Sequence, residues 1–80
     1  MKIYKVSQDE NDGYDTYNSF VCYAEDEDTA RNTHPDGREN IEDRSYVWTK
    51  PEFVKVEYLG ESNQIFRKNR EIICASFNAG

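Results

Sequence analysis

The sequence predicts an α+β domain, a small antiparallel sheet of about four strands with one short helix packed on it, in the order β-β-α-β-β. Three observations carry this. Four short runs, "KIYKVSQ", "SFVCYA", "FVKVEYLG" and "EIICASFN", are rich in β-branched and aromatic residues. One stretch between the second and third runs, "EDEDTARNTHPDG", replaces that composition with helix-capping chemistry. The chain has only 80 residues, and a chain of that size buries about 60% of its unfolded surface, too little to divide between two cores. Residues 1–80 are therefore read as a single domain.

Each element follows from its own residues. In the first run Tyr4 and Val6 share one face and Ile3 and Lys5 the other. The second run is continuously apolar, which suits a central strand with both faces partly covered. After Ala24, Asp26 is the expected N-cap. Glu27 and Asp28 fall in the first turn, where the helix dipole favours acids, and Arg31 and His34 fall near the other end. Pro35 and Gly37 should end the helix, with His34 as a C-terminal capping residue. Only Ala30 and Thr33 offer an apolar side, so a helix of about two turns must lean on the sheet.

Residues 36–45 are polar and read as a surface loop. In "YVWTKPEF" the spacing of Thr49 and Glu52 suits a capping box, and Pro51 suits the first position of a single helical turn. Trp48 beside it should plug one end of the core. The third strand places Val54, Val56 and Tyr58 on one face and Lys55 and Glu57 on the other, and closes at Gly60. The last strand, ending close to Gly80, should be held in place by pairing.

Leu, Ile, Val and Phe stand near the ~20% level at which high net charge signals disorder. The six Tyr, four Phe and one Trp restore the capacity for a core. Net charge is −6, and its distribution is uneven: residues 1–40 hold four basic residues against ten acids, while residues 41–80 hold six of each. A chain of this kind is repelled by nucleic acid and anionic membranes, so a charge-guided partner presents a basic surface. No apolar leader is read at the start, and a cytoplasmic setting is expected. Cys22 and Cys74 both sit in apolar runs and are read as small buried hydrophobes.

The segment "SQDENDGYDTYNSF" concentrates acids and tyrosines between the first two strands. A calcium loop needs Gly at its sixth position and a bidentate Glu at its twelfth. Anchoring on Gly13 puts Gln8 first and Ser19 twelfth, so the ligand pattern fails. Asn11, Asp12 and Gly13 supply instead a tight turn between antiparallel strands. The acids and the two tyrosines exceed what a turn requires, and Tyr14 and Tyr17 either fold back onto the core, the more frequent outcome, or form a contact patch of the kind enriched at interfaces. Enzymatic chemistry lacks a constellation: His34 is the sole histidine, the two Cys and one His lack zinc spacing, and no glycine-rich phosphate loop occurs. No catalytic residue, cofactor or metal is assigned. "RKNR" at 67–70 is too short to suggest nucleic-acid binding against this acidic background.

Taken together, "KIYKVSQDENDGYDTYNSF", "AEDEDTARNTHPDG", "VKVEYLGES" and "CASFNAG" resemble short proteins encoded by bacteriophages and prophages, over nearly the whole chain. The resemblance implies a context and carries over no functional residue. In that context an inhibitory binding protein is expected, such as an anti-CRISPR or other anti-defence protein that covers the basic nucleic-acid-binding surface of a host nucleoprotein. The residues assigned to partner binding are Asp9, Glu10, Asp12, Tyr14, Asp15 and Tyr17, with Glu25, Asp26, Glu27 and Asp28 as a second cluster. Two other readings compete: an interaction module without a defence role, possible as a homodimer through an exposed edge strand, and a small enzyme or nucleotide-binding protein using Cys74 or His34.

Overall fold

The computed structural model describes residues 1–11, 15–41, 47–63 and 67–78. Four strands, β1 (Lys2–Ser7), β2 (Thr16–Ala24), β3 (Lys55–Glu61) and β4 (Ile72–Asn78), form one antiparallel sheet, and a short helix α1 (Glu27–Arg31) follows β2. Across the sheet the order is β3-β1-β2-β4. This is not the chain order β-β-α-β-β: the two C-terminal strands separate and flank the β1–β2 hairpin on opposite sides. As the apolar run of β2 implies, that strand is central.

Register puts the aromatic and branched residues on one face. Tyr4 lies opposite Cys22 on one side and Tyr58 on the other, and Val6 opposite Phe20 and Val56. The buried core comprises Tyr4, Val6, Phe20, Cys22, Ala24, Ala30, Trp48 and Val54, with Tyr17, Val56 and Ile72 packed against it. Tyr58 shares the face of Val54 and Val56 but reaches the sheet margin, where it stays exposed while meeting the Tyr4 ring edge-on at 5.6 Å. Both edge pairings are irregular: Leu59 bulges between the partners of Ile3 and Tyr4, Ile73 between the partners of Val21 and Cys22, and Asn18 of β2 between Tyr17 and Ser19 where they face β4.

Helix α1 packs on β1, β2 and β3. Asp26 caps it by accepting the Thr29 backbone N–H at 2.8 Å, as its position predicts. The helix is shorter than expected and ends at Asn32, whose backbone and side-chain nitrogens both donate to the Asp28 carbonyl. The chain leaves it early because Thr33 bridges Glu39 in a small hairpin, with the His34 N–H donating to the Arg38 carbonyl at 2.7 Å. Pro35 opens the turn, and Gly37, at φ +89°, adopts the left-handed conformation that a three-residue hairpin loop needs. Part of the expected surface loop 36–45 is thus paired, and residues 42–45 of it lie outside the described residues. His34 is a buried turn residue and not the helix cap: its Nδ1 accepts the Asp36 N–H at 3.1 Å.

The expected helical turn forms at Pro51–Phe53, but its N-cap is Lys50 and no side chain caps it, so the Thr49–Glu52 capping box does not form. Thr49 is held otherwise, its carbonyl accepting from the Asn40 side chain at 2.8 Å. Trp48 plugs the core as expected. It is fully buried, with its ring 5.2 Å from that of Phe20. Trp48→Ala should cost about 3–5 kcal/mol, as large aromatic truncations in cores do. A small domain has only about 5–15 kcal/mol in total, so the urea midpoint should fall by a large fraction, and an unchanged midpoint would show that the indole is not central to the core.

Candidate functional site

The acidic hairpin loop between β1 and β2 is built on Gln8. Its Nε2 donates to the carbonyls of Asn11 and Tyr17 at 2.7 and 2.8 Å, and its Oε1 accepts the Asn11 N–H at 2.7 Å. Asn11 then reaches out of the hairpin and donates from Nδ2 to the Trp48 carbonyl at 2.9 Å. The loop base is therefore tied to itself and to the core. Asp15 enters β2 at φ +60°, a left-handed conformation that a short acidic side chain tolerates better than most. Asp9, Glu10 and Asp15 are all exposed. Asp12, Gly13 and Tyr14 lie outside the described residues.

Tyr17 is half-buried. It packs on the core and meets the ring of Phe77 edge-on at 4.7 Å, so much of its aromatic surface is used inside the fold. An aromatic contact beside the acids comes instead from Phe53, which is 49% exposed and shares with Gln8, Asp9 and Lys55 a shallow groove of about 160 Å³. Gln8 and Phe53 do not stand out in the sequence, and Asn11 is read there only as a turn residue. Side-chain amide anchors have no periodicity, and Phe53 lies in a run that reads as the start of a buried strand.

The second cluster, Glu25, Asp26, Glu27 and Asp28, is exposed at the start of α1. Its members differ in what the fold asks of them. Asp26 is occupied as the N-cap. The hydrogen bonds from the Thr29 backbone and side chain hold its carboxyl below the ordinary carboxylate range, and the Lys2 charge adds to this. Glu27 approaches Arg31 at 3.8 Å, an exposed pair of little energetic weight. The Glu25 N–H donates to Asn69 Oδ1 at 3.0 Å, which ties the approach to α1 to the turn before β4. Asp28 borders an open cleft of about 440 Å³ with Asn32, Glu39, Asn40, Ile41 and Arg70. The acidic turn also acts on Tyr4, whose hydroxyl is pushed above its usual range by burial first and by the nearby charges of Asp26 and Glu27 second.

β2 runs between the two clusters. Its nine residues, at roughly 3.3 Å each, place them about 30 Å apart. The structure does not bring them together. Within the described residues, no ion pair engages Asp9, Glu10, Asp15, Glu25 or Asp28.

The other chemically reactive groups are dispersed. Cys22 is buried, and burial pushes its thiol up to about 11. Cys74 is exposed, contrary to the buried reading: it lies opposite Val21, between core-facing Phe20 and Cys22, and so shares the sheet face turned away from the core. His34 is buried in a hairpin whose Gly37 stands against Ile72. Arg67 of the "RKNR" segment is engaged at 3.1 Å with Glu71 and stands over the Tyr23 ring. Among the described residues no group of three or more His, Cys, Asp or Glu could hold a metal ion, and no helix is long and apolar enough to cross a membrane.

Comparison with protein-family models, curated proteins and solved structures finds no match to this chain.

The depressed Asp26 carboxyl has a definite pH signature. A carboxylate held below its unfolded value contributes stability above that unfolded value, and the contribution is lost as pH falls through the folded value. Asn caps a helix about as well as Asp but does not titrate. Asp26→Asn should therefore stay close to wild type in stability near neutral pH and show a flatter decline on the acid side in urea titrations at several pH values. Identical acid limbs in the two proteins would remove Asp26 as a source of the pH dependence.

Proposed function

We propose that this chain is a binding protein of the cytoplasm, not an enzyme, and that it inhibits a host defence nucleoprotein by covering its basic nucleic-acid-binding surface, in the manner expected of a phage-encoded anti-defence protein. The observation that carries this reading is the state of the acids. Asp9, Glu10, Asp15, Glu25 and Asp28 are exposed, make no ion pair within the described residues, and project from local frames fixed by hydrogen bonds. Carboxylates left unpaired on a fixed frame are ready to receive cations from a partner without first breaking internal bonds.

The two clusters offer different contacts. At the hairpin end, Asp9 beside Phe53 suits an Arg or Lys whose charged head meets the carboxylate while its apolar stem lies on the ring. At the helix end, Asp28 and Glu39 border a cleft that they share with Arg70, so the acceptors offered there to a partner's basic side chain are the exposed carboxylates of Asp28 and Glu25. The separation of about 30 Å along β2 is comparable with the roughly 34 Å of one duplex turn. A partner whose basic groove follows nucleic acid over that length can engage both ends at once.

The test is capture of partners from bacterial lysate on the tagged protein at low and high salt. It should be repeated with Asp9→Lys plus Glu10→Lys, and separately with Glu25→Lys plus Asp28→Lys. Asp15 is avoided because a longer side chain at its positive φ adds strain. A nucleic-acid-binding protein should be retained, elute as salt rises, and lose affinity about tenfold or more with each reversed pair, while circular dichroism remains that of wild type. Retention indifferent to salt and to both reversals would sink the reading.

A further inference from the structure

The two edges of the sheet are unequally protected against pairing with another strand. β3 carries Lys55, Glu57 and Glu61 and is interrupted by a bulge at Leu59 and by Gly60 at φ +151°. Charges of this kind block edge-to-edge association; a bulge is present on both edge strands, at Leu59 on β3 and at Ile73 on β4, so charge is what separates them. β4 has the sequence "IICASFN" over Ile72–Asn78, with no charged residue and no proline. Its sheet partner is β2, and residues 73–77 are all exposed, with Ile73 and Phe77 each 45% accessible. About half of its backbone N–H and C=O groups point away from β2, as on any edge strand.

We infer that β4 is a pairing site for β4 of a second copy of this chain, joining two sheets into one antiparallel sheet about a two-fold axis. The strand is self-complementary in that arrangement. With the axis at Ala75, Ile73 of one copy lies opposite Phe77 of the other, and Cys74 opposite Ser76. Branched and aromatic side chains form favourable cross-strand pairs, and the small residues at the centre let the backbones approach. Charge leaves β4 as the surface on which two copies meet with least repulsion. The chain carries −6, and acids of two copies would repel across most approaches, whereas β4 is uncharged. An isologous contact also closes on itself and stops at a dimer. The inference is independent of acid-guided docking, because it uses neither acidic cluster.

Light scattering on a size-exclusion column, over a dilution series, reads the result. The wild-type chain should have twice its own mass and dissociate on dilution. Ile73→Lys and Ser76→Lys, both at exposed positions, should each give the single-chain mass with unchanged circular dichroism, and Leu59→Lys on β3 should leave the dimer intact. In the dimer Cys74 lies diagonally across from its counterpart, about 7–8 Å away and somewhat less between Cβ atoms. Because Cys22 is buried, a short bis-maleimide should join two chains through Cys74 alone, and Cys74→Ser should abolish the product. A wild-type chain of single mass at every concentration overturns the inference, as does a dimer that survives both β4 lysines or is dissociated by Leu59→Lys. Since Ile73 sits at a bulge, Ser76→Lys provides the decisive variant if Ile73→Lys does not fold.

Discussion

The fold depends on one buried contact and on what is tied to its backbone. Few aliphatic side chains are available, so the Phe20–Trp48 ring pair takes the position that leucines occupy in a more typical core. Trp48 belongs to no strand and must be held by its neighbours. The Asn11 side chain donates to the Trp48 carbonyl and the Asn40 side chain to that of Thr49. Asn11 comes from the acidic hairpin and Asn40 from the Thr33–Glu39 hairpin. Burying one indole thus ties down the base of one surface loop at Asn11, beside Asp9 and Glu10, and one wall of the cleft at Asn40. A buried backbone carbonyl without a donor is costly, which gives these two amides weight well beyond an ordinary surface hydrogen bond.

The same economy explains why the acids can remain unpaired. A stability-driven surface would match Asp9, Glu10, Asp15, Glu25 and Asp28 with bases, but exposed ion pairs contribute little. The fold instead stabilises each acidic segment through uncharged groups: Gln8 and Asn11 for the hairpin, Asn69 for the approach to α1, and the Thr29 N–H for Asp26. Self-repulsion within each cluster is the cost, and it is small where solvent and salt screen the charges.

How far the sequence reveals this structure depends on whether a residue acts through periodicity. The alternation of Tyr4 and Val6, the apolar run of β2 and the Asp26 cap are periodic or positional signals, and the structure follows them. The small hairpin carried a signal in Pro35 and Gly37, yet its flanks are polar and read as loop. Cys74 misled because a short apolar run has the same composition in a central strand as at an edge. Only the pairing of β4 with β2, a contact across some fifty residues of chain, decides which face and which margin it occupies. The amide anchors were illegible for a different reason: Asn11 and Asn40 each reach a distant carbonyl and Gln8 ties the two sides of its own turn, and no local pattern marks a side-chain amide as one that does so.

The contrast between the sheet edges adds a last constraint. β3 and β4 leave the same protein, and both flank the same hairpin, so packing alone gives no reason for one to carry three charges and the other none. Solubility would favour charges on both. An edge left uncharged, with Ile73 and Phe77 exposed beside Cys74, Ala75 and Ser76, is an aggregation hazard unless its hydrogen bonds are met by a specific strand. Two copies meeting about a two-fold axis meet them and leave no new edge of the same kind, because the outer margins of the joined sheet are then both β3, the charged strand. The protection of β3 and the exposure of β4 are, on this view, two halves of one arrangement.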